Sequence, residues 1–303
     1  MKHLDKETIV EWLKTLQDDI CQQLEAADGH GQFREDFWER PGGGGGRTRI
    51  FEGRHIEKGG VNFSAVEGEV SDRMRRSLQL EGERFFATGV SIVLHPANPL
   101  VPIIHMNVRY FELSDQIWWF GGGIDLTPHY IEPADARFFH QMLKEACDRH
   151  HPDYYTKFKP WADDYFYLRH RQETRGIGGI FFDRLGGDGG FSKEQRFAFV
   201  QEVGQAFCPI YVPLLQKNKD RPFGEREQRW QMLRRGRYVE FNLVWDAGTK
   251  FGLETDGRTE SILMSLPPMA QWVYDHQPEP QGPEARTLAQ LRKGIDWLTG
   301  TKS

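Results

Sequence analysis

Hydrophobic positions at helical spacing mark four segments of the chain. Over residues 5–27, apolar side chains recur at steps of three and four, which predicts an amphipathic helix. The same pattern predicts helices over 133–149, over 192–216 after a Ser-Lys-Glu-Gln capping sequence, and over 283–298.

The remaining structured segments have the pattern of β-strands. They are rich in β-branched and aromatic residues and are bounded by Gly, Pro, Asn or Asp. The predicted strands are 61–66, 89–95, 101–113, 116–124, 237–246 and 259–266. Turns of hairpin length join several of them, which favours an α+β fold: a large, mainly antiparallel sheet flanked on both faces by helices. No long linker divides the 303 residues, so we expect a single domain over 1–303.

Composition and charge restrict the class of protein. The chain is 38% hydrophobic and 27% charged, which is typical of a globular protein, and its net charge of −5 argues against nucleic-acid binding. Three widely spaced cysteines without a CxxC pair argue against a disulfide framework or a thiolate zinc site. No apolar stretch is long enough to span a bilayer, and residues 1–20 lack the apolar core of a signal peptide. We therefore expect a cytoplasmic protein without a membrane span.

The strand predicted over 101–113 carries the most informative polar pattern. Because side chains alternate between the two faces of a strand, His105, Asn107 and Arg109 share one face. Exposed strand faces favour Thr, Lys and Glu over this trio, and under a covering layer each of the three would need a partner. The pattern favours a functional surface, with an ordinary solvated face as the alternative.

Neighbouring segments add further candidate groups. Ser91 and His95 share a face of the preceding strand, and a hairpin would bring His95 towards His105 as a metal-ligand, acid–base or core pair. Glycines 121–123 allow close approach of a large flat ligand, or form only a bulge. Asp125 follows among apolar residues, where a carboxylate needs a hydrogen-bond donor such as an N–H group or an arginine.

Two more segments suggest the chemistry of the ligand. Residues 161–183 mix aromatic residues, arginines and glycines, a combination that suits a flat ring system bearing carboxylates. Stacking on nucleic-acid bases is the alternative, and the pI near 6.1 argues against it. Arg258 is predicted on a turn before the strand at 259–266.

Several long motifs are spread along the chain. They include HMNVRYF at 105–111, RGIGGIFFD at 175–183 and RYVEFNLVWD at 237–246. In these motifs, and over nearly the whole chain after about residue 35, the sequence resembles the oxygen-dependent coproporphyrinogen-III oxidase family of haem biosynthesis.

The resemblance implies a reaction and a set of partners. Propionates on rings A and B of coproporphyrinogen III become vinyl groups, and O2 is consumed with release of CO2 and hydrogen peroxide to give protoporphyrinogen IX. No organic cofactor is implied, and no GxGxxG fingerprint opens a helix in this chain. The resemblance also implies a homodimer whose interface falls in 238–273.

The resemblance assigns roles to individual residues. His105 is implied as a proton donor, and Asp125 as a carboxylate that holds the pyrrole N–H groups. The implied substrate-binding residues are Ser91, Asn107, Val108, Arg109, Asp256, Gly257 and Arg258. The histidines implied as ligands of a divalent metal in some bacterial members are His95, His105, His140 and His170.

Two other functions stay open on the sequence alone. A metal-dependent oxygenase would place its ion among the four histidines, and full activity after chelation would exclude it. A non-catalytic tetrapyrrole carrier would bind without turnover, and product formation would exclude that.

Overall fold

A seven-stranded antiparallel sheet is the centre of the fold. The computed structural model describes residues 4–70, 75, 82–114, 117–254 and 257–299. The strands of the sheet are β1 Phe33–Glu39, β2 Gly44–Phe51, β3 Ile56–Glu69, β4 Arg84–Pro96, β5 Ile103–Ser114, β6 Ile117–Thr127 and β9 Gly179–Leu185. A separate hairpin consists of β7 Tyr167–Leu168 and β8 Glu173–Thr174. The predicted α+β fold with an antiparallel sheet is confirmed.

Nine described helices surround the sheet. They are α1 Lys6–Asp28, α2 Pro133–Asp148, α3 Tyr154–Tyr165, α4 Lys193–Gln205, α5 Phe207–Asn218, α6 Glu225–Glu240, α7 Ala247–Glu254, α8 Thr259–Leu263 and α9 Pro283–Gln290. A π-helical stretch, Phe241–Trp245, continues α6. Over the part of the chain that the structure describes, none of these helices combines the length and apolarity needed to cross a bilayer.

The two faces of the sheet differ in chemistry. One face, here called the covered face, is apolar: Ile92, Met106 and Ile124 lie side by side on β4, β5 and β6. Helices α1, α2 and α4 pack on this face and form the main hydrophobic core with it. Burial of this large apolar surface fixes the register of the strands, because a slip of one residue would expose the core positions.

The other face, here called the polar face, carries a row of polar side chains. Strand register aligns Asp36, Thr48, Asn62, Ser91 and Asn107 across β1 to β5. Helix α8 and the residues after it lie over β1 to β4, with Met264 seated on Gly60 and Ser261 bonded to Thr48 and Asn62. Tyr238 of α6 packs against Val93 and Ile103. The sheet is thus flanked by helices on both faces, and the polar face stays open beside Ser91, which is exposed.

The strands predicted over 237–246 and 259–266 are wrong. Residues 237–246 end α6 and form the π-helical stretch, and residues 259–263 form α8. Tyr238, Phe241 and Asn242 are buried together at steps of three and four, so the first segment buries one helical side although its residue types favour a strand.

Two predicted helices differ from those in the structure. The helix predicted over 192–216 is divided at Ala206 into α4 and α5. Pro209 explains the break, since its ring clashes with the carbonyl four residues earlier and it has no N–H group to donate. The helix predicted over 283–298 ends at Gln290, shortly before Gly294, which adopts a left-handed conformation with φ +78°.

Candidate functional site

Strand β5 places three predicted residues together on the polar face. His105, Asn107 and Arg109 are each partly exposed there, and Ser91 of β4 lies directly opposite Asn107. The Val108 side chain points to the opposite face, into the core. Only its main-chain atoms could therefore contact a ligand on the polar face. The alternation predicted for this strand is confirmed.

A chain of hydrogen bonds, here called the relay, joins these side chains. His105 donates from Nδ1 to Asp125 Oδ1 over 2.8 Å, and Asn107 Nδ2 lies 3.4 Å from Nε2 of the same imidazole. Arg109 donates from Nη1 to Asn107 Oδ1 over 3.1 Å and from Nη2 to Asp183 Oδ1 over 3.0 Å. Each member fixes the orientation of the next, so Nε2 of His105 is held towards the open part of the face.

Asp125 is held from behind by a buried arginine. Arg175 donates to Asp125 from Nε over 3.1 Å and from Nη2 over 2.6 Å, and the two side chains are 3% and 1% exposed. Burial alone would raise the pKa of Asp125, but attraction to Arg175 and the hydrogen bond from His105 hold that pKa below its usual value. The donor that the sequence required for Asp125 is therefore an arginine, and the relay begins with a carboxylate that stays ionised.

Aromatic rings hold Arg175 in place. Its guanidinium carbon lies 4.4 Å, 4.6 Å and 4.7 Å from the ring centroids of Phe166, Tyr238 and Phe241. Nη1 donates to Asn242 Oδ1 over 2.8 Å. Arg175 was not among the predicted site residues, although the need of Asp125 for a cationic or N–H donor pointed to such a residue.

The described geometry limits what Asp125 can bind. Oδ1 accepts from His105 and Arg175, and Oδ2 accepts from Arg175. Neither oxygen of this buried carboxylate points to the open face, so direct acceptance of pyrrole N–H groups by Asp125 stays a prediction.

Glycines beside the relay allow close packing on the polar face. A Cβ atom added to Gly121 would lie 2.6 Å from Asp183 Oδ1 and 2.7 Å from Arg109 Nε, so only glycine leaves room for this ion pair against β6. The register of β6 with β9 also shifts between Phe120 and Gly122. The glycine run therefore contains a register shift of the bulge kind and a close approach by protein side chains, and close approach of a flat ligand stays a prediction.

The four histidines predicted as metal ligands have separate partners. Nε2 of His95 bonds to Ser265 O over 2.8 Å, and Nε2 of His140 bonds to Ile177 O over 3.0 Å. Both rings are buried, and burial lowers the pKa of His140 to about 3 and that of His95 well below its usual value. His170 is exposed and bonds to Glu240 Oε2 over 2.7 Å. Among the residues that the structure describes, no three His, Cys, Asp or Glu side chains are placed to hold one ion.

The loop predicted to bind substrate is only partly described. Asp256 lies outside the described residues, and Gly257 leads into Arg258, which precedes α8. Arg258 is paired with Asp36 of β1, and three strand steps separate β1 from β4. The structure thus brings together Ser91, His105, Asn107, Arg109 and Asp125, and it holds Arg258 apart from them.

Glu240, which binds His170, gives a prediction about stability and pH. Burial raises its pKa, but hydrogen bonds from Arg171 and His170 outweigh burial and lower the value to about 2. A carboxylate with a lowered folded-state pKa stabilises the protein above its unfolded-state pKa and loses that contribution as pH falls through the folded value. We expect Glu240→Gln to lower the Tm by roughly 1–3 °C at pH 7, with the gap to wild type closing between about pH 4.5 and pH 2. Thermal unfolding followed by circular dichroism across this range checks it, and a constant gap would contradict it.

Comparison with known proteins gives concordant matches. The family model described as coproporphyrinogen III oxidase matches residues 8–297. A protein of Prochlorococcus marinus strain SARG is 48% identical over 313 residues, with 95% of this chain and 91% of that protein aligned. Proteins of P. marinus strain MIT 9313 and of Parasynechococcus marenigrum strain WH8102 are 50% and 49% identical, over 93% of this chain and 88% and 85% of theirs. All three are named oxygen-dependent coproporphyrinogen-III oxidase.

Proposed function

The chain belongs to the coproporphyrinogen III oxidase family, and we propose that it catalyses the oxygen-dependent oxidative decarboxylation of coproporphyrinogen III in haem biosynthesis. The ring A and B propionates become vinyl groups, and the product is protoporphyrinogen IX. The observation that carries the assignment to this surface is the relay from Asp125 to Arg109, which ends beside glycines on the open part of the polar face.

The balance of the reaction defines what the protein must supply. Each propionate loses a hydride equivalent from the carbon next to the pyrrole, and O2 accepts it to form hydroperoxide anion. The electrons of the bond to the carboxylate then form the vinyl double bond as CO2 leaves. One proton converts the hydroperoxide to hydrogen peroxide, so each turnover consumes one O2 and one proton. O2 is the oxidant, and no organic cofactor takes part in this scheme.

His105 is placed to supply that proton. Because Asp125 accepts the Nδ1 proton, Nε2 is the ring nitrogen that faces the open part of the site. A protonated imidazole would give up the 3.4 Å contact with Asn107 Nδ2, which is a donor, and would donate from Nε2 to the reduced oxygen, with the Asp125 carboxylate behind it at Nδ1. In this scheme Asp125 and Arg175 are positioning residues, and His105 is the catalytic residue.

The open face suits the substrate around the reacting carbon. The Arg109 guanidinium provides charge-assisted bonding to a propionate, and the Ser91 hydroxyl lies opposite Asn107 on the neighbouring strand. Gly121 on β6 leaves room for the ion pair of Arg109 with Asp183, so the guanidinium lies close to the main chain of the sheet. The described residues form no common site for the four-histidine metal set, so every step above is assigned to the substrate, O2 and the relay.

Product formation tests the proposal. Protein treated with a chelator is incubated with coproporphyrinogen III in air and under argon, and protoporphyrin is measured by fluorescence after oxidation. We expect turnover in air with release of peroxide and none under argon. Binding without turnover in air would favour the carrier, and turnover restored only by added Fe²⁺ or Mn²⁺ would favour the metal-dependent oxygenase.

We also propose a homodimer formed through residues 238–273. This part of the chain exposes large apolar side chains at Leu243, Val244, Leu253, Met269 and Trp272. Exposed apolar clusters of this kind are typical of protein interfaces.

A charge placed in this cluster tests the dimer. Leu243→Asp should convert the dimer to monomer in sedimentation velocity at micromolar concentration, because an unpaired carboxylate in an apolar interface is costly. Phe223→Asp is the matched control, since Phe223 is similarly exposed but lies outside the region. A dimer that survives Leu243→Asp, or a wild-type monomer, would contradict the proposal.

A cytoplasmic location is proposed as well. All three cysteines, Cys21, Cys147 and Cys208, are described, and each is a buried free thiol. Unpaired thiols are typical of a reducing compartment, which supports this location.

A further inference from the structure

Arg258 already has a carboxylate partner on the polar face. Its Nη2 donates to Asp36 Oδ2 of β1, and the two side chains are 29% and 32% exposed. Its Nη1 is buried and has no hydrogen-bond partner in the described structure. The guanidinium is therefore held by one carboxylate while part of its donor capacity is unused.

The position of Asp36 keeps Arg258 at the edge of the sheet. Asp36 lies at one end of the row that continues through Thr48, Asn62 and Ser91 to Asn107. Four strand spacings separate its ends, which is roughly 19 Å. An arginine side chain paired at the β1 end is therefore held three to four strand spacings away from Ser91 and Asn107, where the substrate is proposed to lie.

The main chain beside Arg258 is anchored independently of that pair. The Ser261 hydroxyl bonds to Thr48 Oγ1 over 3.0 Å, and Ser261 O accepts from Asn62 Nδ2 over 3.0 Å. Movement of Arg258 from Asp36 to a ligand therefore requires rotation of a long, partly exposed side chain and leaves α8 in place.

We propose that Asp36 is an affinity-determining residue, the resident counter-ion that a substrate carboxylate must displace from Arg258. This inference rests on the proposed function together with the substrate-binding role that the family resemblance implies for Arg258, which we take to be binding of a substrate carboxylate. While Arg258 is bound to Asp36 it is not available to substrate, so the apparent affinity is reduced by the fraction of protein in that state. Asp36 also repels an approaching carboxylate. It therefore weakens substrate binding both by occupying Arg258 and by charge repulsion.

Replacement of Asp36 by asparagine tests this role. Asp36→Asn keeps an acceptor of the same shape and removes the charge, and we expect tighter binding by about two- to fivefold, the factor by which a partly exposed ion pair shifts an equilibrium. The KM for coproporphyrinogen III should fall by the same factor while kcat is unchanged. Coproporphyrin III, the oxidised tetracarboxylate, reports binding by fluorescence titration without turnover.

The neighbouring residue provides a matched control. Glu35 lies next to Asp36 on β1 and pairs with Arg49, and successive side chains of a strand point to opposite faces. Glu35→Gln removes the same charge from the same strand and should leave the dissociation constant for coproporphyrin III unchanged. In an Arg258→Gln background, Asp36→Asn should lose most of its effect, because the arginine it releases is absent.

The outcomes separate this inference from the proposed reaction. Unchanged or weaker coproporphyrin III binding by Asp36→Asn would overturn the inference, as would equal tightening by Glu35→Gln. No binding by either wild type or variant would overturn it too. Tighter binding by Asp36→Asn together with no turnover by wild type would overturn the proposed reaction and leave Asp36 as the counter-ion of a carboxylate-binding arginine.

Discussion

Asp125→Asn is expected to lower kcat by about 10²–10⁴-fold and to destabilise the protein at the same time. An asparagine side chain can donate to the imidazole as well as accept from it, so the tautomer with a proton on Nδ1 is no longer enforced. The substitution also leaves Arg175 buried without a counter-ion, which costs about 3–5 kcal/mol and lowers the Tm by roughly 5–10 °C.

A second buried ion pair separates the two effects. Asp163 of α3 pairs with Lys159 over 2.5 Å, both side chains are buried, and neither belongs to the relay. Asp163→Asn should lower the Tm by a similar amount and leave kcat within about threefold of wild type. Steady-state kinetics well below the Tm of each variant, together with calorimetry, give both quantities. Equal losses of kcat in the two variants would mean that Asp125 acts only through stability.

The polar residues of this site could be predicted because successive side chains of a strand point to opposite faces. Once 101–113 is interpreted as a strand, His105, Asn107 and Arg109 must share a face whatever the rest of the fold does. The need of Asp125 for a donor follows equally from local chemistry, since an ionised carboxylate in apolar company requires one. These two inferences depend on residues a few positions apart, and the structure confirms both.

The partners that depend on distant pairing could not be predicted in the same way. Arg175 reaches Asp125 because β9 pairs with β6 and places Gly179 opposite Asp125, a register that no local pattern reveals. Two of the three rings that cover Arg175, those of Tyr238 and Phe241, come from α6 and the π-helical stretch, where a strand was predicted. Residues 237–245 are helical because one helical side of this segment is buried against the polar face. That burial is set by tertiary packing rather than by residue type.

The positions of the histidines in the fold could not be predicted from local sequence either. The four candidate ligands are equivalent in the sequence, but folding places His140 in the core, His95 under Ser265 and His170 on the surface. Only His105 joins a network that opens onto the polar face. The two explanations of activity, a relay centred on His105 and an ion held by four histidines, therefore make opposite predictions for His170.

His105→Gln should lower kcat by about 10²–10⁴-fold, the usual contribution of a positioned general acid. Glutamine retains hydrogen-bonding capacity on the polar face but cannot carry the proton to reduced oxygen. Because the imidazole is partly exposed, the Tm should change by no more than a few degrees. KM should stay near the wild-type value, since Arg109 and Ser91 are unaltered.

His170→Gln is the matched substitution for this test, because it changes the same functional group at an exposed position bonded to Glu240. If the relay performs the chemistry, this variant should keep kcat within about twofold of wild type. If four histidines hold a catalytic ion, His105→Gln and His170→Gln should lose activity together, and metal analysis should find less bound ion in both. Comparable kcat for wild type and His105→Gln would instead remove the imidazole from the proton-transfer step. The pair of variants therefore decides between the two chemistries with one change of residue type at two positions.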